Sequence, residues 1–127
     1  MAKSANQKLK LLYIVRILEE NTDEDHCIST QELIRELGTY GITAERKSIY
    51  SDMEQLERFG YDIVYVKART GGGYYLAGRR FELPELKLLV DAVQSSRFLT
   101  LKKSRELIRK IGQLAGKHGA KQLNRQV

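Results

Sequence analysis

The chain has 127 residues, 42% hydrophobic and 30% charged, which suits one core of ordinary size with an appended element. No apolar run approaches the ~18 residues of a bilayer span, no signal-peptide stretch follows Lys3 and Lys8, and the single cysteine, Cys27, closes no internal disulfide and builds no multi-thiolate zinc site. Membrane proteins, disulfide scaffolds and zinc fingers are thereby excluded and a cytoplasmic location is expected; the net charge of +6 is uneven, with 12 Lys/Arg and 12 Asp/Glu in residues 1–80 against 10 and 4 in 81–127.

From Asn6 to Glu20 the residues Leu9, Leu11, Leu12, Ile14, Val15, Ile17 and Leu18 recur at helical spacing around Lys8, Lys10, Arg16 and Glu19, predicting an amphipathic helix. The acidic run 19–25 reads as a solvated loop. Ser29 with Glu32 three residues on forms a capping box, and Ile28 with Leu33 a hydrophobic staple, so a second helix starts there and is expected to stop at Gly38. After a glycine-flanked turn, a third helix capped by Thr43 runs to Phe59 and ends at Gly60. Its face Ile49, Met53 and Leu56 points inward; Lys47, Ser51, Glu54 and Arg58 point outward, with Ser48 and Tyr50 on the flanks.

Beyond Gly60 the period changes to two. Tyr61 to Lys67 and Tyr74 to Leu76 read as the strands of a hairpin whose tip, 68–73, is basic and glycine-rich. Pro84 opens a fourth helix containing Leu86, Leu88, Leu89, Val90 and Val93, and Thr100 caps a fifth with Leu101, Leu107, Ile108, Ile111 and Leu114. From Gly116 the residues lack periodicity and read as a mobile tail. The expected fold class is mainly α with a small β-hairpin: a winged helix-turn-helix over 1–80, a helical linker or dimerisation hairpin over 81–115, and the tail over 116–127.

That layout places a recognition helix at 43–59. A helix that reads DNA needs an inner face anchored in a small core and donors on its N-terminal half for base edges and phosphates. Thr43, Arg46, Lys47, Ser48, Tyr50 and Ser51 are the candidates, and Lys67 and Arg69 at the hairpin tip are expected on the backbone or adjacent minor groove. The plain alternative is the solvated face of an amphipathic helix, and for Tyr50 an aromatic at the edge of the core.

The runs 28–33, 42–56, Gly60-Tyr61-Asp62-Ile63 and Gly73-Tyr74-Tyr75-Leu76 resemble the DNA-binding half of bacterial DeoR-type regulators, above all those carrying a C-terminal WYL domain. The resemblance spans about residues 6–80, and the helices after Phe81 look like that family's linker helices. It implies that Thr43, Arg46, Ser48 and Tyr50 face DNA; where the family commonly has Arg before the Asp of this helix, the chain has Ser51. It also implies that any effector acts through a C-terminal sensor domain, whose Trp-Tyr-Leu signature is absent from a chain without tryptophan, so these residues read as part of a longer regulator or as a free-standing module.

Other motifs carry less. Gly71-Gly72-Gly73 lacks the spacing of a phosphate-binding loop, His26 and Cys27 do not complete a tetrahedral metal site, and Glu54 and Glu57 read as solvated charge rather than a catalytic pair. No enzyme, no metal and no cofactor is expected. The expected partners are double-stranded DNA and a second copy of the chain, since the last two helices offer more apolar surface than a short hairpin hides; the competing function is a winged-helix module that binds another protein.

Overall fold

The computed structural model describes residues 7–69 and 71–125. The expected helix start at Asn6, Thr70 of the hairpin tip, and Gln126 and Val127 of the tail lie outside them. Two compact units divide the chain, Met1–Gly78 and Arg79–Val127. The architecture is mainly helical with one antiparallel hairpin, a winged-helix-like layout. Among the described residues no helix is long and apolar enough to cross a membrane.

In the first unit a 3-10 turn, Gln7–Leu9, leads into α1 (Lys10–Asn21). Ile14, Val15, Ile17 and Leu18 are buried, whereas Leu9, Leu11 and Leu12 of the expected apolar stripe are exposed. Helix α2 (Thr30–Thr39) starts as its sequence dictates: the Ser29 hydroxyl accepts from the Glu32 N–H at 3.1 Å, while Glu32 accepts from the Ser29 N–H at 3.2 Å. Its end differs from the expectation. Gly38 lies inside the helix, and the left-handed residue is Gly41, φ 77°, which lets the Ile42 N–H turn back onto the Leu37 carbonyl at 3.1 Å. Helix α3 (Arg46–Phe59) ends at Gly60, as expected.

Strands β1 (Ile63–Val66) and β2 (Gly73–Leu76) pair with Ile63 opposite Leu76 and Tyr65 opposite Tyr74, so Gly73, expected in the tip, belongs to a strand. The outer edge of β2 is also occupied. Tyr74 and Ile28 exchange two backbone hydrogen bonds of 2.8 Å, and the Leu76 N–H donates to Thr22 Oγ1 at 3.0 Å. The Thr22 hydroxyl in turn donates to the Leu18 carbonyl at 2.6 Å, at 1% exposure. The run 19–25 is therefore not wholly a solvated loop: Thr22 satisfies a strand N–H that would otherwise be buried unpaired. Ile14, Ile17, Leu18, Leu33, Leu37, Ile42 and Ile49, all at most 1% exposed, form the centre of this core, closed on the hairpin side by Ile63, Tyr74 and Leu76.

The second unit contains α4 (Leu83–Gln94), with Pro84 in its first turn, and α5 (Leu101–Gln113), where the Thr100 hydroxyl accepts from the Lys103 N–H at 3.1 Å. The expected tail is corrected: Gly116–Asn124 form a further helix, α6. Leu123 and Ala115 join Leu86, Val90 and Ile111 in a separate small core. Small residues make this packing possible, because a Cβ on Gly119 would stand 2.7 Å from that of Ala115. Without a large apolar residue in its first two turns, α6 shows no amphipathic period to a sequence reading.

Candidate nucleic-acid interface

Helix α3 presents most of the expected donors, but it begins two residues later than expected. Glu45, not Thr43, is the N-cap. The Ser48 hydroxyl closes this end, accepting from the Glu45 N–H at 3.2 Å and donating to the Glu45 carbonyl at 2.8 Å. Thr43 has no glutamate or glutamine three residues on to complete a reciprocal cap, since that position is Arg46. It lies exposed ahead of the helix, its carbonyl accepting from Gln7 Nε2 at 2.9 Å. A carboxylate now stands at the positive end of the helix dipole, so the α3 terminus is a poorer phosphate site than a threonine cap would make.

Ser48 is corrected as a free donor. Besides its two bonds to Glu45, its hydroxyl accepts from Lys10 Nζ at 2.9 Å, which commits its one proton and both lone pairs. The same ammonium lies 2.7 Å from Asp52 Oδ2, and the two side chains are only 12% and 20% exposed. Lys10 thus clamps α3 to α1 at two points one turn apart. Sequence reasoning counted Lys10 as surface charge. The signal was present: Lys10, Ile14, Ile17 and Leu18 fall on one stripe, as do Asp52, Ile49, Met53 and Leu56, and charges on buried stripes need partners.

Ile49, Met53 and Leu56 form the inner face, as expected. Arg46, Lys47, Tyr50 and Ser51 are exposed together over the first two turns, Lys47 and Ser51 opposite the inner face and Arg46 and Tyr50 at its edge beside Met53. At ~100° per residue they span about 140°, a patch with two cations, a phenol and a hydroxyl and no carboxylate. Glu54 and Glu57 enter that side only in later turns. In the hairpin tip Lys67 and Arg69 are exposed.

Tyrosines tie the hairpin to the helices. Tyr65 and Tyr74, directly opposite across the strands, meet edge to face with centroids 4.9 Å apart. Burial first, then the nearby Tyr50 phenol, pushes the Tyr74 phenol above its ordinary value, while a hydrogen bond with Thr30 pulls the other way. Tyr50 keeps 45% of its surface exposed. Among the described residues no group of three His, Cys, Asp or Glu could hold a metal ion. Comparison with protein-family models, with curated proteins and with solved structures gives no match.

Proposed function

We propose that the chain is a sequence-specific, double-stranded-DNA-binding transcriptional regulator working in the cytoplasm, with α3 in the major groove and the 62–76 hairpin on the backbone or minor groove. The observation that carries this reading is the acid-free exposed patch Arg46, Lys47, Tyr50 and Ser51 on a helix held from behind by its apolar face and by Lys10. Such a helix keeps one register against a groove, while Arg and Lys supply base-edge and phosphate donors. The resemblance to DeoR-type regulators supports the same reading and adds an effector acting only through a further sensor domain.

Enrichment of duplexes from a random pool tests it: the chain retains a defined site, and Lys47→Ala or Tyr50→Ala weakens that site by ~1–3 kcal/mol per base contact without unfolding the protein. Both variants retaining parental affinity would remove α3 from the interface. Homodimerisation through the second unit is part of the proposal, supported by Leu88 and Leu101 at 70% and 67% exposure. Sedimentation at high micromolar concentration tests it, and a monomer there rejects it. One observation favours a protein-binding module instead: Phe59 is 80% exposed, stacked on Tyr61 with centroids 5.7 Å apart. Retention of no duplex from the pool would favour that alternative.

A further inference from the structure

The two units differ sharply in charge. Residues 1–78 carry 10 Lys/Arg and 12 Asp/Glu, a net of −2, whereas 79–127 carry 12 and 4, a net of +8. After Glu106 the chain has no acidic residue at all.

The cations of the second unit stand where folding alone disfavours them. On α5, Lys102, Arg105 and Arg109 are spaced three and four residues apart, and on α6 and its end, Lys117, Lys121 and Arg125 are spaced four apart. All six are exposed. Like charges at these spacings repel along a helix, and Lys102, Lys103 and Lys117 add positive charge to first turns that have no acidic residue. Glu106, four residues after Lys102 and three before Arg109, is the one carboxylate beside the α5 row, and it pairs instead with Lys103 at 3.7 Å. No ion pair within the described residues neutralises any of the six.

Two rows of mutually repelling cations gain most from a partner with its own regular row of negative charge. The Lys102–Arg105–Arg109 row extends ~10 Å along its helix axis, comparable with about three phosphates on one DNA strand at ~3.4 Å per charge. An anionic membrane is a poorer match. A helix lying on a bilayer must insert an apolar face, and α5 spends Ile108 and Ile111 on the core while Leu101, Leu107 and Leu114 stay exposed. It is therefore the regular spacing of the cations, not a lack of apolar surface, that favours DNA.

We propose that the second unit is a phosphate-gripping surface for duplex DNA, supplying the salt-dependent, sequence-independent part of binding that a first unit of net charge −2 supplies weakly. This rests on the DNA-binding reading above and divides its labour: α3 selects the sequence and the second unit holds the backbone.

The test compares the full chain with Lys102→Gln/Arg105→Gln/Arg109→Gln and with Arg46→Ala/Lys47→Ala, on an enriched duplex and a scrambled one, between 50 and 200 mM salt. The triple variant is expected to lower the slope of log affinity against log salt by about 2.7 on both duplexes, a change of about 40-fold in salt sensitivity over that range, with preference between them intact. Its thermal melt should be unchanged or raised, because repulsion is relieved; the Arg46/Lys47 variant should instead lose preference. An unchanged slope in the triple variant while the parent binds DNA overturns this inference and leaves the DNA-binding reading standing. No binding of either duplex by the parent overturns both, and parental binding to phosphatidylserine vesicles in preference to duplex, lost in the triple variant, reassigns the surface to lipid.

Discussion

Replacing Lys10 by Met removes the ammonium that lies 2.7 Å from Asp52 and 2.9 Å from the Ser48 hydroxyl, while keeping the unbranched stem in place. An exposed ion pair contributes ~0–1 kcal/mol, whereas stripping the partner from a fully buried charge costs ~3–5 kcal/mol. At 12% and 20% exposure the pair lies between these limits. The substitution should therefore destabilise the first unit by about 2 kcal/mol, lowering its melting temperature by about 8–16 °C if it unfolds as a domain of fewer than 100 residues. The clean measurement is a double-mutant cycle of Lys10→Met and Asp52→Asn in urea, followed by far-ultraviolet circular dichroism, with an expected coupling of about 1.5 kcal/mol. A coupling below ~0.3 kcal/mol would place the pair in the ordinary surface class and refute the clamp. If the clamp also sets the register of α3, Lys10→Met should weaken DNA binding at temperatures where the protein remains fully folded, although Lys10 itself is turned to the core side.

Gly38→Ala should stabilise the chain by about 0.5–1 kcal/mol in urea denaturation, since Gly38 is helical and has nothing within 4 Å of a new Cβ. Gly73→Ala should destabilise it by ~1–3 kcal/mol, because its Cβ would stand 2.8 Å from Cys27 Sγ and 2.9 Å from the Ile28 carbonyl oxygen; a neutral result would mean that the Ile28–Tyr74 bridge yields freely. Raised in the folded state, the Tyr74 phenol contributes stability that is fully present below its unfolded value of about pH 10 and is lost as pH rises through its folded value. In absorbance titration at high pH a late-ionising tyrosine should be missing from Tyr74→Phe, whose stability should fall less steeply above pH 10. Replacing Lys67 and Arg69 together by Ala should reduce the salt slope of DNA binding by about one to two units, and an unchanged slope would turn the hairpin away from DNA.

Features set within four residues were legible in the chain itself. The Ser29–Glu32 box, the Thr100 cap, Pro84 in a first turn, the stop at Gly60 and the two-residue period of the hairpin each depend on neighbours that any local segment brings together. The same locality explains the inner face of α3 and the outward placement of Lys47 and Ser51, because a helical period divides one face from the other without reference to the rest of the fold. The exposure of Arg46, about 20° from Met53 in helical rotation, does not follow from the period. It also explains the error at Ser48. The period placed that side chain on a flank, but its hydroxyl is occupied by Glu45 within the same turn and by Lys10 from 38 residues away.

The sequence by itself determined the order and type of the first five helices and the hairpin, and which side of α3 carries cations. Tertiary structure alone decided which charge meets which. Thr22 reaches the Leu76 N–H across 54 residues, Lys10 reaches Ser48 and Asp52, and Ile28 pairs with Tyr74. A periodic pattern identifies a buried face but not the group facing it, because the partner is selected only when a loop of tens of residues closes and a buried polar group must be satisfied. The helix α6 belongs to the same class: its glycines are poor helix formers locally, and Ala115 and Leu123 gain their burial only once they pack with Leu86, Val90 and Ile111 in the second core.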